Sequence, residues 1–232
     1  MKRKLIFPLI VLLISPCAWC VCQVPQPRLV CAEYSQSKAV VIAKLISATS
    51  DSKKYPSYFL YRLVVVKRLR GQVSQTFELY EGNDSGRPGF IWKLNEQYLL
   101  FLIRPDPPTL SQWTVDGCGN SAPIVDAGAT LRQIAHISSA DKTGTITGYV
   151  STDSWSTAVP DAAVKISGNG RVFDTKTDVN GKFSQVVPIG IYTVSASKNG
   201  MPMEKELFTY ENPADVVITP GGCAQMQFSG LW

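Results

Sequence analysis

Two cysteines separated by a single residue stand directly after an apolar leader, and this arrangement constrains the fold more than any other feature of the chain. Cys20 and Cys22 follow the leader, Cys31 comes shortly afterwards, and Cys118 lies far downstream. Exported proteins form disulfides because their environment is oxidising. We therefore expect the mature N-terminus to be covalently attached to its own domain.

The first residues have the layout of a signal peptide. Residues 2–4 are basic, and residues 5–14 form an apolar stretch that is too short to span a bilayer. No later stretch is long and apolar enough to be a transmembrane helix. We predict a signal peptide over residues 1–20, a secreted or periplasmic location and no transmembrane anchor.

Two positions suit cleavage of this leader. Signal peptidase prefers small residues at −1 and −3, which allows a cut after Cys17 or after Cys20 and disfavours one after Trp19. The same segment has some features of a lipoprotein signal, but Pro16 stands next to the cysteine and argues against lipidation. We expect no lipid anchor.

Charge and composition offer little support for nucleic-acid binding or catalysis. The formal net charge of +5 falls to about +2 once the three basic leader residues are removed. The basic run at 67–70 ends a predicted strand, so we expect no nucleic-acid partner. The single histidine, His136, leaves no HExxH motif and one acid–base imidazole. We predict no enzymatic activity, no bound metal and no cofactor.

The first half of the chain carries strand patterns followed by one helical pattern. Continuous or alternating apolar runs predict strands over residues 39–49, 58–66, 75–80, 98–103 and 113–115. After Ser121 and Pro123 the apolar residues recur at helical spacing, which predicts a helix of about three turns ending near His136. We expect this helix to pack across the strands in a domain over residues 21–137.

The second half has the pattern of a β-sandwich. A polar linker over residues 138–144 leads into short strands separated by turn signals. Seven are predicted, at 145–151, 162–167, 171–177, 182–187, 191–197, 204–209 and 215–218. Apolar residues alternate with Ser and Thr over 192–197, as in a sandwich strand with one solvated face. The chain is thus predicted to be mainly β, with an Ig-like or prealbumin-like sandwich over residues 145–232.

Two stretches of the first domain resemble a known family. From Cys20 to Cys31, a cysteine-x-cysteine, a proline-rich ridge and a third cysteine precede the strand that contains residues 40–44. This order resembles the start of tissue inhibitors of metalloproteinases and of related netrin-like domains. Residues 95–101 and 118–124 are similar to the family's ending of strand, cysteine and helix. The resemblance implies an OB-type five-stranded Greek-key barrel with one packed helix.

The resemblance also implies a disulfide. It pairs Cys22 with Cys118, which would tie the N-terminal ridge to the end of the barrel. The family partners of Cys20 and Cys31 are missing from this chain. Cys223, in the second domain, is left as a candidate partner for either of them.

In the inhibitor family the mature chain begins at the first cysteine, whose α-amino and carbonyl groups chelate the catalytic zinc of a metalloprotease. The resemblance implies that Cys20 would be the chelating residue of this chain and that Val21 would enter the specificity pocket of the protease. This interpretation requires cleavage before Cys20, directly after Trp19, where a bulky side chain occupies the −1 position. Metalloprotease inhibition is therefore the alternative function.

The second domain is similar to carboxypeptidase regulatory-like domains, which have a transthyretin-like sandwich. The similarity rests on residues 146–150, 159–164, 177–183 and 188–192, which occur in the family's order. Together the two resemblances imply an exported, non-enzymatic binding or structural protein of two modules. Its expected partner is another protein, a cell-surface component or a glycan.

Overall fold

The computed structural model describes residues 28–51, 58–82, 88–104, 113–137, 140–152, 157–206 and 215–230. In the N-terminal module, residues 28–137, the helices are α1 Val30–Gln36 and α2 Gly128–Ala135, and the strands are β1 Ala39–Asp51, β2 Tyr58–Gly71, β3 Thr76–Gly82, β4 Gln97–Leu102 and β5 Ala122–Pro123. In the C-terminal module, residues 140–230, the strands are β6 Thr143–Thr152, β7 Thr157–Ala158, β8 Ala163–Gly168, β9 Arg171–Lys176, β10 Lys182–Pro188, β11 Gly190–Lys198, β12 Met201–Pro202, β13 Glu204–Glu206, β14 Val216–Ile218 and β15 Cys223–Gly230. The protein is mainly β, as the sequence predicts.

The N-terminal module is built on one five-stranded sheet with the order β3-β2-β1-β4-β5. Strand β1 pairs antiparallel with β2 and with β4, so it is central. The register of β1 on β2 shifts at three points. Such irregularities bend a strand and increase its twist, so the sheet curves around its own apolar side chains.

The five-stranded barrel predicted from the sequence is not formed as a closed sheet. The fifth strand of the sheet is the short β5, rather than residues 113–115. Those residues make only single bridges, Leu79 with Trp113 in parallel and Ile103 with Thr114 in antiparallel orientation. One bridge on each side does not make a ladder, and the strand pairing therefore stays open between β3 and β4.

The two helices differ from expectation. Helix α2 is shorter than predicted because Ala122 and Pro123 pair with Leu99 and Tyr98 of β4, so the helix begins only at Gly128. It ends at the expected place, with His136 as its C-cap residue. Helix α1 is not predicted from the sequence. Its N-cap residue Leu29 makes no capping hydrogen bond through its side chain, so the helix depends on tertiary contacts.

The C-terminal module contains two sheets, as expected for a sandwich. One has the order β10-β6-β15-β13 with β7 paired to β6, and the other has the order β12-β11-β8-β9 with β14 paired to β11. All seven predicted strand regions contain a strand, although residues 207–209 of the sixth prediction lie outside the described residues. The sequence interpretation missed β15, which lies in the interior of its sheet and runs parallel to β6.

The apolar cores divide between Ile134 and Ile146. One buried cluster contains only residues from Ile146 onward. The other two contain only residues up to Ile134, and α2 contributes to the second of them, where it packs on β1 and β4. Each module therefore has apolar cores of its own, and the contact between the modules is made by other groups.

Candidate functional site

The first helix of the N-terminal module is joined covalently to the last described strand of the C-terminal module. A disulfide links Cys31 of α1 to Cys223 of β15, with Cα atoms 5.3 Å apart. The hydroxyls of Ser35 and Thr219 are 3.2 Å apart and share a hydrogen bond. The sequence left Cys223 as a candidate for Cys20 or Cys31, and the structure pairs it with Cys31. This disulfide is compatible with an extracellular protein.

Of the other site residues predicted from the sequence, the structure describes only Cys118. Cys118 is disulfide-bonded. Its predicted partner Cys22 lies outside the described residues, as do Cys20 and Val21, the residues expected to contact a metalloprotease. The Cys22–Cys118 pairing and the role of Cys20 therefore remain predictions.

A polar cluster holds the segment just before α1 against the residues around Cys118. Arg28 forms an ion pair with Asp116 and donates a hydrogen bond of 3.0 Å to the side chain of Gln36. The backbone N–H and the side-chain amide of Asn120 both donate to Glu33 Oε2, each at 2.7 Å. The same side-chain amide donates to the carbonyl of Arg28 at 3.1 Å. The cluster therefore holds residues 28–36, which follow Cys20 and Cys22 in the sequence, against residues 116–120.

Glu33 is the buried member of this cluster. Burial raises the pKa of its carboxyl group, although nearby Arg28 and the two hydrogen bonds from Asn120 act in the opposite direction. Gly119 lies directly against it, and a Cβ at that position would be 2.2 Å from Glu33 Oε1. Glycine is therefore the residue that allows the carboxylate and the 116–120 turn to approach each other.

The segment 88–96, called here the tip loop, connects β3 to β4 and is anchored by aromatic side chains. The ring of Trp92 lies 4.6 Å from that of Tyr61 and 4.6 Å from that of Tyr98, between ring centroids. The ring of Phe90 lies 5.0 Å from Trp92 and 5.5 Å from Tyr98. Aromatic contacts in this distance range stabilise beyond simple burial. Two side chains of the loop therefore point into the module.

Hydrogen bonds complete the anchoring of the tip loop. The hydroxyl of Tyr98 accepts a bond of 2.6 Å from the backbone N–H of Lys93, and burial raises the pKa of this phenol. The indole N–H of Trp92 donates to Glu81 at 3.2 Å. Asn95 donates its backbone N–H to the carbonyl of Leu45 at 2.9 Å. The loop is thus fixed to the sheet at several points along its length.

Between these anchors the tip loop exposes two large apolar side chains. Ile91 is 79% exposed and Leu94 is 59% exposed. Exposed apolar side chains that occur singly are ordinary, but these two lie on one short loop whose other residues are held to the sheet. The sequence interpretation did not find this site. The available signal was the run Phe90-Ile91-Trp92-Lys93-Leu94, which is too apolar for a solvated loop.

Within the described residues, no group of three or more His, Cys, Asp or Glu side chains is placed to hold a metal ion. None of the described helices has the length and apolar character needed to cross a membrane.

Comparison with known proteins yields distant similarities only. No family model matches the chain, and no curated protein matches it. A solved dioxygenase domain from Streptomyces sp. SirexAA-E is 12% identical, with a TM-score of 0.28, over 41% of this chain and 84% of that chain. The major pilin subunit BcpA of Bacillus cereus is 11% identical, with a TM-score of 0.30, over 84% of this chain and 60% of that chain. At this level of similarity neither protein indicates a function for this one.

Proposed function

We propose that this protein is an exported, non-enzymatic binding protein of two modules, which contacts another protein or a cell-surface component through the tip loop. The proposal includes its location outside the cytoplasm, in a secreted or periplasmic form. It also includes an OB-like topology for the N-terminal module, whose sheet stays open while residues 113–114 make single bridges to Leu79 and Ile103.

The observation that carries this proposal is the pairing of rigid anchors with exposed apolar side chains in the tip loop. Phe90 and Trp92 are held among the aromatic rings of the sheet, while Ile91 and Leu94 face solvent. A loop that is already ordered loses little conformational entropy when a partner binds, so its apolar contacts contribute more fully to affinity. Such an arrangement fits a protein-binding site better than a solvated connection.

The junction between the modules supports the same function. The disulfide between α1 and β15 and the hydrogen bonds from Leu29 to Gln225 and between Ser35 and Thr219 restrain the two modules relative to each other. A partner could therefore contact both modules at a fixed spacing. Two modules on a flexible linker would have to lose more orientational freedom on binding.

Charge substitutions in the tip loop test the proposal. Ile91→Asp and Leu94→Asp each place a charge where a partner's apolar surface would be buried. Val179→Asp is the matched control because Val179 is 81% exposed and lies on a turn of the other module. The measurement is chemical cross-linking on the surface of the producing cells, followed by identification of the adducts by mass spectrometry. We expect an adduct with the unmodified protein and with the control, and its loss with both tip-loop variants.

Two outcomes contradict the proposal. The first is an adduct that forms equally well with all variants, which would place the contact elsewhere. The second is the absence of any adduct across cross-linkers of different chemistry. Circular dichroism of each variant establishes that it is folded, so that loss of the adduct reports on binding.

Metalloprotease inhibition is the second candidate, and the resemblance of residues 20–31 to the inhibitor family supports it. N-terminal sequencing of the exported protein tests it directly. A mature chain that begins at Cys20 should inhibit a zinc protease such as thermolysin in titration. A chain that begins at any other residue lacks the required α-amino group and excludes this mechanism.

A further inference from the structure

We propose that a cleft beside β2 and β3 binds an acidic oligosaccharide through arginine side chains that contact its uronate carboxylates. The inference goes beyond the proposed function, because it concerns a surface separate from the tip loop and names the class of ligand that this surface binds. The cleft has a volume of about 780 Å³. This lies within the range of about 300–1,000 Å³ that is usual for ligand sites.

Charged and aromatic residues on neighbouring backbone segments line the cleft. Arg62 of β2 pairs in register with Glu78 of β3. The carbonyl of Glu78 accepts a hydrogen bond of 3.0 Å from the backbone N–H of Trp113. The guanidinium of Arg104, two residues beyond the end of β4, lies 4.5 Å from the centroid of the Trp113 ring. These four residues line the same cleft, which therefore contains two cations, a carboxylate and a mostly buried indole.

The polar side chains of the cleft are available to a ligand. Within the described residues, the side chains of Arg62, Glu78 and Thr76 make no hydrogen bond or ion pair, and neither do those of Gln72 and Ser74 in the connection from β2 to β3. The mostly buried side chains of Val73 and Phe77 line the same cleft. The cleft therefore combines unpaired donors and acceptors with apolar side chains, and both kinds of group occur in ligand sites.

The donor set matches an acidic sugar. A guanidinium binds a carboxylate in a bidentate manner, and two of them line the cleft. Sugar hydroxyls both donate and accept hydrogen bonds, so they complement the amide of Gln72, the hydroxyls of Ser74 and Thr76, and the carboxylate of Glu78. Each functional group of a uronate residue therefore has a chemical counterpart in the cleft.

Glu78 argues against more strongly anionic ligands. Its carboxylate lines the cleft together with the two arginine residues and would repel consecutive negative charges. An acidic peptide or a polyphosphate places charges close together and offers few hydroxyls. An oligosaccharide with one carboxylate per sugar ring spaces its charges more widely and uses Glu78 as an acceptor.

Isothermal titration calorimetry with trigalacturonate, maltotriose and a triglutamate peptide tests this proposal on the exported full-length protein. We expect binding of trigalacturonate alone. Arg62→Gln and Arg104→Gln should each weaken it by about tenfold or more, because a charge-assisted hydrogen bond is lost. Arg104→Lys keeps the charge and should recover only part of the affinity. Arg171→Gln removes an equivalent charge from the exposed strand β9 and should leave binding unchanged.

Absence of trigalacturonate binding overturns the proposal, as does binding that Arg62→Gln and Arg104→Gln leave intact. Equal binding of maltotriose removes the role of the carboxylate, and preference for triglutamate replaces the sugar with a peptide, so either result also overturns it. Ile91→Asp should retain trigalacturonate binding. This result distinguishes the proposal for the cleft from the proposal for the tip loop, whose partner is tested by cross-linking.

Discussion

The backbone N–H of Leu29 donates a hydrogen bond of 2.8 Å to Oε1 of Gln225, which lies in the other module. Leu29 immediately precedes α1, and Gln225 lies in β15 two residues beyond Cys223. The bond satisfies one of the free amides at the start of a helix that has no side-chain cap of its own. Helix α1 is therefore completed by a residue of the C-terminal module, beside the disulfide that joins the two.

Removal of that disulfide should destabilise the protein. In the chain-entropy model, a bridge that closes a loop of this length contributes roughly 5 kcal/mol, and measured contributions are about 2–5 kcal/mol. We expect Cys31→Ala/Cys223→Ala to lower the free energy of unfolding by about 2–5 kcal/mol, measured by urea titration with tryptophan fluorescence.

The control at the same junction is Thr219→Ala, which removes the single hydrogen bond to Ser35. It should cost only about 0.5–1.5 kcal/mol. An unchanged unfolding midpoint in the double cysteine variant would show that the bridge does not restrain the modules.

Most strands could be predicted from the sequence because their apolar side chains follow a local period. Ala224, Met226 and Phe228 alternate with polar residues, so the same local period indicates a strand at β15. The position of β15 between β6 and β13 depends on pairing across the whole module. Helix α1 could not be predicted because its stability comes from contacts with β15, remote in sequence. The pairing of Cys31 with Cys223 likewise depends on how the two modules meet, which no local pattern encodes.

Glu33 should make stability depend on pH. Burial raises the pKa of its carboxyl above the ordinary value of 4.5. At pH values between 4.5 and the folded-state pKa, the folded state therefore binds more protons at this carboxyl than the unfolded state does. The corresponding stability is present at pH below 4.5 and is lost as the pH rises through the folded-state pKa. Glu33→Gln keeps an oxygen acceptor for Asn120 and carries no titratable group, so it should not show this loss.

The measurement is urea unfolding of both proteins at intervals from pH 4 to pH 8. We expect the unfolding free energy of the unmodified protein to fall relative to that of Glu33→Gln as the pH rises. Parallel pH profiles for the two proteins would contradict the assignment of this dependence to Glu33.

Gly119 should be intolerant of even the smallest side chain. A Cβ there would be 2.2 Å from the buried carboxylate oxygen of Glu33, so either the turn or the carboxylate must move. We expect Gly119→Ala to cost about 1–3 kcal/mol of unfolding free energy, as overpacking usually does. Gly89→Ala is the matched control, since no atom lies within 4 Å of its added Cβ. Equal unfolding midpoints for both variants would show that the close approach is not needed.

Trp92 should link the stability of the N-terminal module to binding by the tip loop. Its ring contacts Tyr61, Phe90 and Tyr98, and its indole N–H donates to Glu81. Trp92→Ala should therefore lower the free energy of unfolding by about 2–4 kcal/mol, because both packing and a hydrogen bond are lost.

The same substitution should reduce the yield of the cross-linked adduct, although Ile91 and Leu94 themselves are not substituted. The reason is that an unanchored loop must be ordered when the partner binds. Phe173→Ala removes a partly buried ring from the other module and serves as the control for lost packing alone. If Trp92→Ala destabilises the protein without changing the yield of the adduct, the anchoring of the loop is not needed for binding and the prediction is wrong. A joint loss of stability and adduct, seen for Trp92→Ala and not for Phe173→Ala, is the result expected if the aromatic anchors hold Ile91 and Leu94 ready for a partner.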